Sequence, residues 1–153
     1  LMAGHLTLAL IKPHAYMSRH AGEIISRIEK EGFAILLAKV TQLQSEGAQE
    51  FYAEHRGKPF FPNLTQVMSS GPIWALTICK DNAVDSWREI IGATNPAEAA
   101  EGTLRRQFGN PNNLTNNAVH GSATDPDAKR EINFFFGREL KLVQRINEIS
   151  NQR

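Results

Sequence analysis

Hydrophobic residues fall along the chain in short runs separated by amphipathic stretches, the pattern of sheet and helix layers packed on each other. Leu6 to Ile11 is a largely apolar run that ends at Lys12-Pro13. Proline cannot donate to a ladder, so a buried strand stopping there is predicted. Phe33 to Val40 predicts a second strand, and Pro72 to Cys79 a third that is apolar on both faces. Between them, Ala21 to Lys30 sets Ile24, Ile25 and Ile28 on one helical stripe, with Gly32 as a left-handed stop. Ser45 is expected to cap a helix running to about His55, with Ala48, Phe51 and Tyr52 on one side. Asn82 to Ile91 reads as a helix packed through Val84, Trp87 and Ile91, with Gly92 at its end.

Two stretches break this rhythm. Arg56 to Pro72, with its glycines and prolines around Phe60-Phe61, predicts a loop interrupted by a short helix near Leu64 to Met68. Ala93 to Asn117 is polar and rich in Gly, Asn and Pro, with room for a short helix near Thr103 to Phe108. Ala118-Val119-His120 is a short last strand. Asp125-Pro126 then reads as a cap followed by proline at the first helical position, opening a helix to Phe136. A separate amphipathic helix is expected over about Glu139 to Ile149, carrying Leu142, Ile146 and Ile149. The order β-α-β, then β-α-β with inserted helices, predicts an α+β ferredoxin-like sandwich: a small antiparallel sheet with helices packed on it.

Composition narrows the function classes. The 153 residues have room for a single domain of ordinary size. Their 41% hydrophobic and 22% charged residues argue against global disorder. A net charge of +1 argues against a protein whose main business is coating nucleic acid or an anionic membrane. An anionic ligand must therefore be held by locally gathered charges. No apolar stretch approaches the roughly 18 residues of a membrane span. Leu1 to His5 has neither a basic region nor an apolar signal core. The lone Cys79 cannot form an intrachain disulfide, and no Cys/His cluster has zinc-ligand spacing. A reducing, cytoplasmic setting and no resident metal are the expectations.

The candidate chemistry centres on His120, between a short apolar pair and Gly121, where a strand ends and the chain turns. A histidine there can act as a nucleophile, forming a covalent intermediate that splits one hard transfer into two. An isolated histidine at a strand end more often has a structural role. Glu131 borders the stripe marked by Ala128, Ile132 and Phe135. A carboxylate drawn toward a core needs a partner, and an imidazole N–H would satisfy it and orient the ring. An exposed glutamate at the edge of the stripe fits the spacing equally well.

Lys12, Arg88, Arg105 and Arg106 are the candidate cations. Converging guanidinium and ammonium groups are what a polyphosphate requires, although each singly is more often a solvated charge. Neither a P-loop nor a Rossmann glycine motif is present, so a phosphate binder here must use side chains. Phe60, on a proline-bounded loop, can stack on a nucleobase, whereas Phe61 fits a role pinning that loop to the core equally well.

These residues resemble a known family. Asn117-Ala118-Val119-His120-Gly121-Ser122 is similar to the active-site signature N-x-x-H-G-S-D of nucleoside diphosphate kinases. Leu10-Ile11-Lys12-Pro13 resembles the end of that family's first strand with its phosphate lysine. Lys58-Pro59-Phe60-Phe61 resembles its R-P-F-F base-stacking loop, with Lys58 where arginine is usual. Met68-Ser69-Ser70-Gly71-Pro72 resembles M-x-S-G-P, and Gly102-Thr103-Leu104-Arg105 resembles G-T-I/L-R. Arg88 through Gly92-Ala93-Thr94-Asn95-Pro96-Ala97 resembles the R-x-x-x-G-x-T-x-P segment. The likeness runs from Leu6 to about Phe136.

The resemblance implies transfer of a γ-phosphoryl group from a nucleoside triphosphate to a diphosphate through phosphohistidine. His120 would be the nucleophile and Glu131 would hold its ring. Lys12, Arg88, Thr94 and Arg105 would bind phosphates, and Tyr52 would order the histidine end. Phe60 would stack on the base, with Leu114 on its other face, and Asn117 would meet the sugar hydroxyls. Mg²⁺ would ride mainly on the nucleotide phosphates, and the chain would form homo-oligomers. Three departures stand out: Ala123 in place of the acid, His14-Ala15 in place of Asp-Gly, and a longer stretch through Gly109 to Thr115. The first and third leave room for a second class, a catalytically weak nucleotide-binding or assembly module. A single-strand nucleic-acid binder is disfavoured by the charge balance.

Overall fold

Leu6–Ile11 forms β1, and in a computed structural model of the chain, which describes residues 4–151, this strand lies inside a four-stranded antiparallel sheet. Residues 1–3, and with them part of the leader reading, lie outside the described residues. The other strands are β2 (Ala34–Thr41), β3 (Ile73–Cys79) and β4 (Val119–Gly121). Their order is β2-β3-β1-β4. Among the described residues, seven α-helices accompany the sheet: α1 (Pro13–Met17), α2 (Ala21–Lys30), α3 (Ser45–Phe51), α4 (Phe61–Met68), α5 (Ala83–Ile91), α6 (Leu104–Phe108) and α7 (Asp125–Asn151). The expected α+β ferredoxin-like sandwich is the fold observed.

Alternation along the strands divides the core in two. Ala9 and Ile11 of β1 join Leu76 and Ile78 of β3 on one face, covered by Ile24 and Ile28 of α2, Trp87 and Ile91 of α5 and Leu104 of α6. Leu8 and Leu10 join Ile73 and Ala75 on the other, covered by Ala48 and Phe51 of α3, Met68 of α4 and Ile132, Phe135 and Phe136 of α7. The same period two carries through β4. Val119 belongs to the first face, so His120 is turned to the second and Ser122 follows it there.

Helix α2 has the predicted bounds and stop. Gly32 sits at φ 91°; its N–H bonds the Glu29 carbonyl at 3.0 Å, and the Phe33 N–H bonds that of Ile28 at 3.2 Å. That pair of bonds caps the helix end. Four other expectations are corrected. Ser45 is the first residue of α3, after Gln44, and its hydroxyl accepts a bond from Gln49. The α-helix stops at Phe51, and Ala53–His55 tighten into a 3-10 turn, as last turns often do. The cap of α7 is Thr124, not Asp125. The Thr124 Oγ1 accepts the Asp127 N–H at 3.2 Å and donates to Asp127 Oδ2 at 2.9 Å, and its carbonyl takes the first helical bond, from Ala128.

In the C-terminal region, two expected helices are one of 27 residues. Gly137 costs only about 1 kcal/mol inside a helix. No proline intervenes, Phe135, Phe136 and Leu140 pack on the core across it, and Lys39 binds both the Phe135 carbonyl and Glu139. Helix α1 was not foreseen. Pro13 both stops the strand and fits the first turn of a helix, where its missing N–H costs nothing.

Candidate active site

His120 pairs with Leu10 across β1 and β4, at the edge of the sheet, facing the last helix. Its Nε2 lies 2.7 Å from Glu131 Oε1. The glutamate is only 4% exposed, so the reading as a solvated stripe-edge residue does not hold. Ser122, just past the end of β4, donates to the same oxygen at 2.9 Å. Its own hydroxyl accepts the buried Leu8 N–H at 3.2 Å. Arg130 stands 3.6 Å from the other carboxylate oxygen and donates to the Phe51 carbonyl. A carboxylate so engaged commits Nε2 of His120 as a donor and leaves Nδ1 with the free lone pair. The ring is packed edge-on by Phe51 at 5.5 Å and Tyr52 at 6.2 Å.

In front of His120 opens a cleft of about 580 Å³. Its walls include Tyr52, Phe60, Arg88, Thr94, Arg105, His120 and Glu131, seven of the nine residues expected at a site. Arg88 and Thr94 are exposed, and Phe60 is 47% exposed on the loop before α4. Arg105 is half-buried and clamped: its Nη1 donates to the Gly92 carbonyl and its Nη2 to that of Val119, both at 3.1 Å. Burial, and Arg88 nearby, push its guanidinium down to about 10.

Lys12 and Asn117 are not on the cleft wall; both are buried beside it. The Lys12 ammonium donates to the Thr115 carbonyl at 3.3 Å. Burial, and secondarily the charge of Arg105, lower it to about 7. Asn117 Nδ2 donates to the Thr94 carbonyl at 3.0 Å. The Tyr52 hydroxyl is pushed up by burial and by the charge of Glu131. Tyr52 Oη, Arg105 Nε and Asn117 Oδ1 are buried with no hydrogen-bond partner among the described residues.

Other expected residues fall elsewhere. Arg106 turns away to the Ala97 carbonyl. Phe61 packs on the second face of the core, while Leu114 is exposed and does not line the cleft. Sequence reasoning missed Glu54, His55 and Asp127 on the cleft wall, and the role of Ser122. Ser122 was within reach, because period two from His120 in a strand places it on the same face.

The family model described as nucleoside diphosphate kinase matches residues 5–140 of the chain. The chain belongs to the nucleoside diphosphate kinase family. The nucleoside diphosphate kinase of Pasteurella multocida (strain Pm70) is 50% identical over 135 residues, which span 88% of this chain and 96% of that protein. That of Syntrophotalea carbinolica is 48% identical over 130 residues, 85% of this chain and 93% of the relative. Among solved structures, a crystal form of the Aquifex aeolicus nucleoside diphosphate kinase superposes with a TM-score of 0.84 at 39% identity, covering 86% of this chain and 94% of that one. The Halobacterium salinarum nucleoside diphosphate kinase in complex with CDP gives a TM-score of 0.82 at 35% identity, covering 87% and 88%. Among the described residues, no group of three or more His, Cys, Asp or Glu could hold a metal ion, and no helix is long and apolar enough to cross a membrane.

Proposed function

We propose that the protein moves the γ-phosphoryl group of a nucleoside triphosphate to a nucleoside diphosphate, with His120 as the phosphoryl carrier. The observation that carries this reading is the 2.7 Å contact between His120 Nε2 and the buried Glu131, at the foot of a cleft holding two arginines. With Nε2–H donated to the carboxylate, the Nδ1 lone pair attacks the γ-phosphorus and the bond to the β,γ-bridging oxygen breaks. The diphosphate leaves with that oxygen, and Glu131 stabilises the positive charge that develops on the ring. A second diphosphate then reverses the step through its own terminal oxygen.

The roles of the other residues follow from the same reading. Arg88 and Arg105 hold phosphate oxygens as planar forks, with Thr94 beside them and Lys12 as a point charge from behind. Tyr52 orders the histidine end through its unpartnered hydroxyl, and Asn117 meets the sugar through its free carbonyl oxygen. Phe60 offers its exposed ring to the base. Mg²⁺ suits this donor set because it keeps several waters and binds through substrate phosphates, so it needs no protein cage. Asp127 and Glu54 are the wall carboxylates besides Glu131, and the ion, when bound, neutralises the charge that the phosphates carry.

The chain works as one domain, in the cytoplasm, where the free Cys79 stays reduced. Its partners are nucleotides and further copies of itself, a reading supported by the edge strand β2, which exposes Leu36 and Val40. No observation favours the catalytically weak alternative. Mixing the protein with γ-labelled ATP and Mg²⁺ tests the reading. The expected result is a protein-bound label, lost in acid and stable to alkali, and absent in His120→Ala. Label at the wild-type level in that variant would overturn it.

A further inference from the structure

The residue before the strand of His120 holds an unusual conformation. Ala118 is fully buried at φ 73°, in the left-handed region that side chains other than glycine's rarely adopt. The Val119 N–H bonds the Asn117 carbonyl at 2.9 Å, which makes Asn117–Val119 the positive-φ kind of γ-turn, the rarer and more strained of the two. Such a turn persists only when its surroundings over-determine it. Here both polar groups of Ala118 are held by one short segment. Its carbonyl accepts the Lys12 N–H at 2.8 Å, and its N–H donates to Nε2 of His14 at 3.0 Å.

We infer that His14 is a positioning residue, whose Nε2 accepts the Ala118 N–H and so holds the Asn117–Val119 turn, and with it His120, in place for transfer. The inference rests on the phosphohistidine reading above. It concerns a position where the sequence departs from the motif it resembles, and no role was assigned to it from sequence. His14 does not touch the cleft; it acts through two residues of backbone. A misplacement of the reacting atom by about 1 Å can cost on the order of a hundredfold in rate, so the turn need not unfold for the loss to be large.

The contact has a chemical condition. An imidazole nitrogen accepts only when it is unprotonated, so His14 must be neutral with its proton on Nδ1. The ionisable groups around it are Lys12 beside it in the chain and His20 at the start of α2, with Arg105 of α6 behind Lys12. The Asn117–Val119 turn contributes none. Burial first, then Lys12 and His20, hold His14 below its ordinary value of 6.5, which keeps the acceptor available near neutrality. Protonation would aim a second N–H at that of Ala118.

Two substitutions separate the acceptor from the titration. His14→Gln keeps an acceptor at comparable reach but does not titrate, and His14→Leu has none. At pH 8, single-turnover phosphorylation of His120 by ATP should be within about threefold of wild type in His14→Gln and down about tenfold or more in His14→Leu. The ratio of His14→Gln to wild-type turnover should rise as pH falls below 6.5, because the wild type alone loses its acceptor to a proton on His14. Amide exchange at Ala118 should be slow in wild type and His14→Gln and fast in His14→Leu. A pH-independent ratio, or His14→Leu phosphorylating at the wild-type rate, would overturn the inference. If His14→Leu does not fold, the ratio alone decides. Failure of the underlying reading is distinct: wild-type protein would then take no label from ATP, whatever Ala118 exchange reports.

Discussion

Trp87 donates its indole N–H to the main-chain carbonyl of His120 at 3.2 Å. The indole is fully buried in the first face of the core, while the imidazole of the same histidine faces the cleft on the second. The largest side chain of the interior thus sets the backbone of the proposed nucleophile directly. Gly121 admits this approach: a Cβ there would stand 2.7 Å from the Trp87 ring. His120 is therefore fixed from two sides, its backbone by α5 and its ring by α7.

Glu131→Gln tests the ring's half of that arrangement. The variant keeps size and one acceptor but loses the charge that favours a cationic imidazole. Phosphorylation of His120 should fall about ten- to a hundredfold in single-turnover measurements, with nucleotide affinity little changed. Ser122→Ala should act differently. It leaves the buried Leu8 N–H without its acceptor, at a cost of about 1–3 kcal/mol in denaturant unfolding, with a smaller loss in rate. Unchanged phosphorylation in Glu131→Gln would reject the orienting role.

The two arginines should part company. Arg88 is exposed, so Arg88→Ala should lower kcat/KM by about a hundredfold or more and leave the thermal midpoint alone. Arg105 also holds the Gly92 and Val119 carbonyls. Arg105→Ala should therefore lose both activity and stability, by about 1–3 kcal/mol for the unpaired carbonyls. Equal midpoints for the two variants would show that the Arg105 contacts contribute nothing to the fold.

Lys12 predicts a pH dependence of stability. Its folded value of about 7 lies below the ordinary lysine value of 10.5, so between these pH values the unfolded chain binds more protons than the native one. Stability from this group therefore rises with pH across that window, and its full penalty is present below it. Thermal midpoints of wild type relative to Lys12→Met should climb from pH 7 to 10, the variant lacking the penalty throughout. A flat difference would mean that the ammonium is better solvated than its burial implies.

Phe60 sets an expectation for base choice. Stacking uses the face that every base shares and is worth about 1–3 kcal/mol. Phe60→Ala should raise KM for all the common nucleoside diphosphates, and wild type should accept them within about tenfold, for a spread of ~1 kcal/mol in stacking. Strict dependence on one base would point to hydrogen bonds from the loop over Gly109 to Thr115, which Asn63 ties to α4 through Thr115 at 2.7 Å.

Much of this molecule was legible because its signals are local. The apolar runs of β1 and β3 and the isoleucine stripe of α2 each declare a face within a few residues. The His120–Glu131 pair spans only 11 residues, and a motif plus a helical stripe was enough to suggest it. His14 and Ala118 are 104 residues apart, and neither residue type advertises the bond between them. Helix α1 is a single turn, too short for any period to show. At the start of α7, Thr124 and Asp125 are both good caps, and only the bond to Asp127 tells which is used.

The continuity of α7 through Gly137 has a consequence for how the helix opens. Near Glu131 it is buried on the sheet, whereas Leu142, Val143, Ile146 and Ile149 are each at least 48% exposed. Glu139 is joined to Lys39 of β2 at 2.9 Å, between the buried and the exposed lengths of the helix. Opening should therefore travel inward like an unzipping seam. Amide exchange along α7 should slow stepwise from Asn151 to Phe136 and reach the global limit by Ile132, one residue past the carboxylate that holds His120.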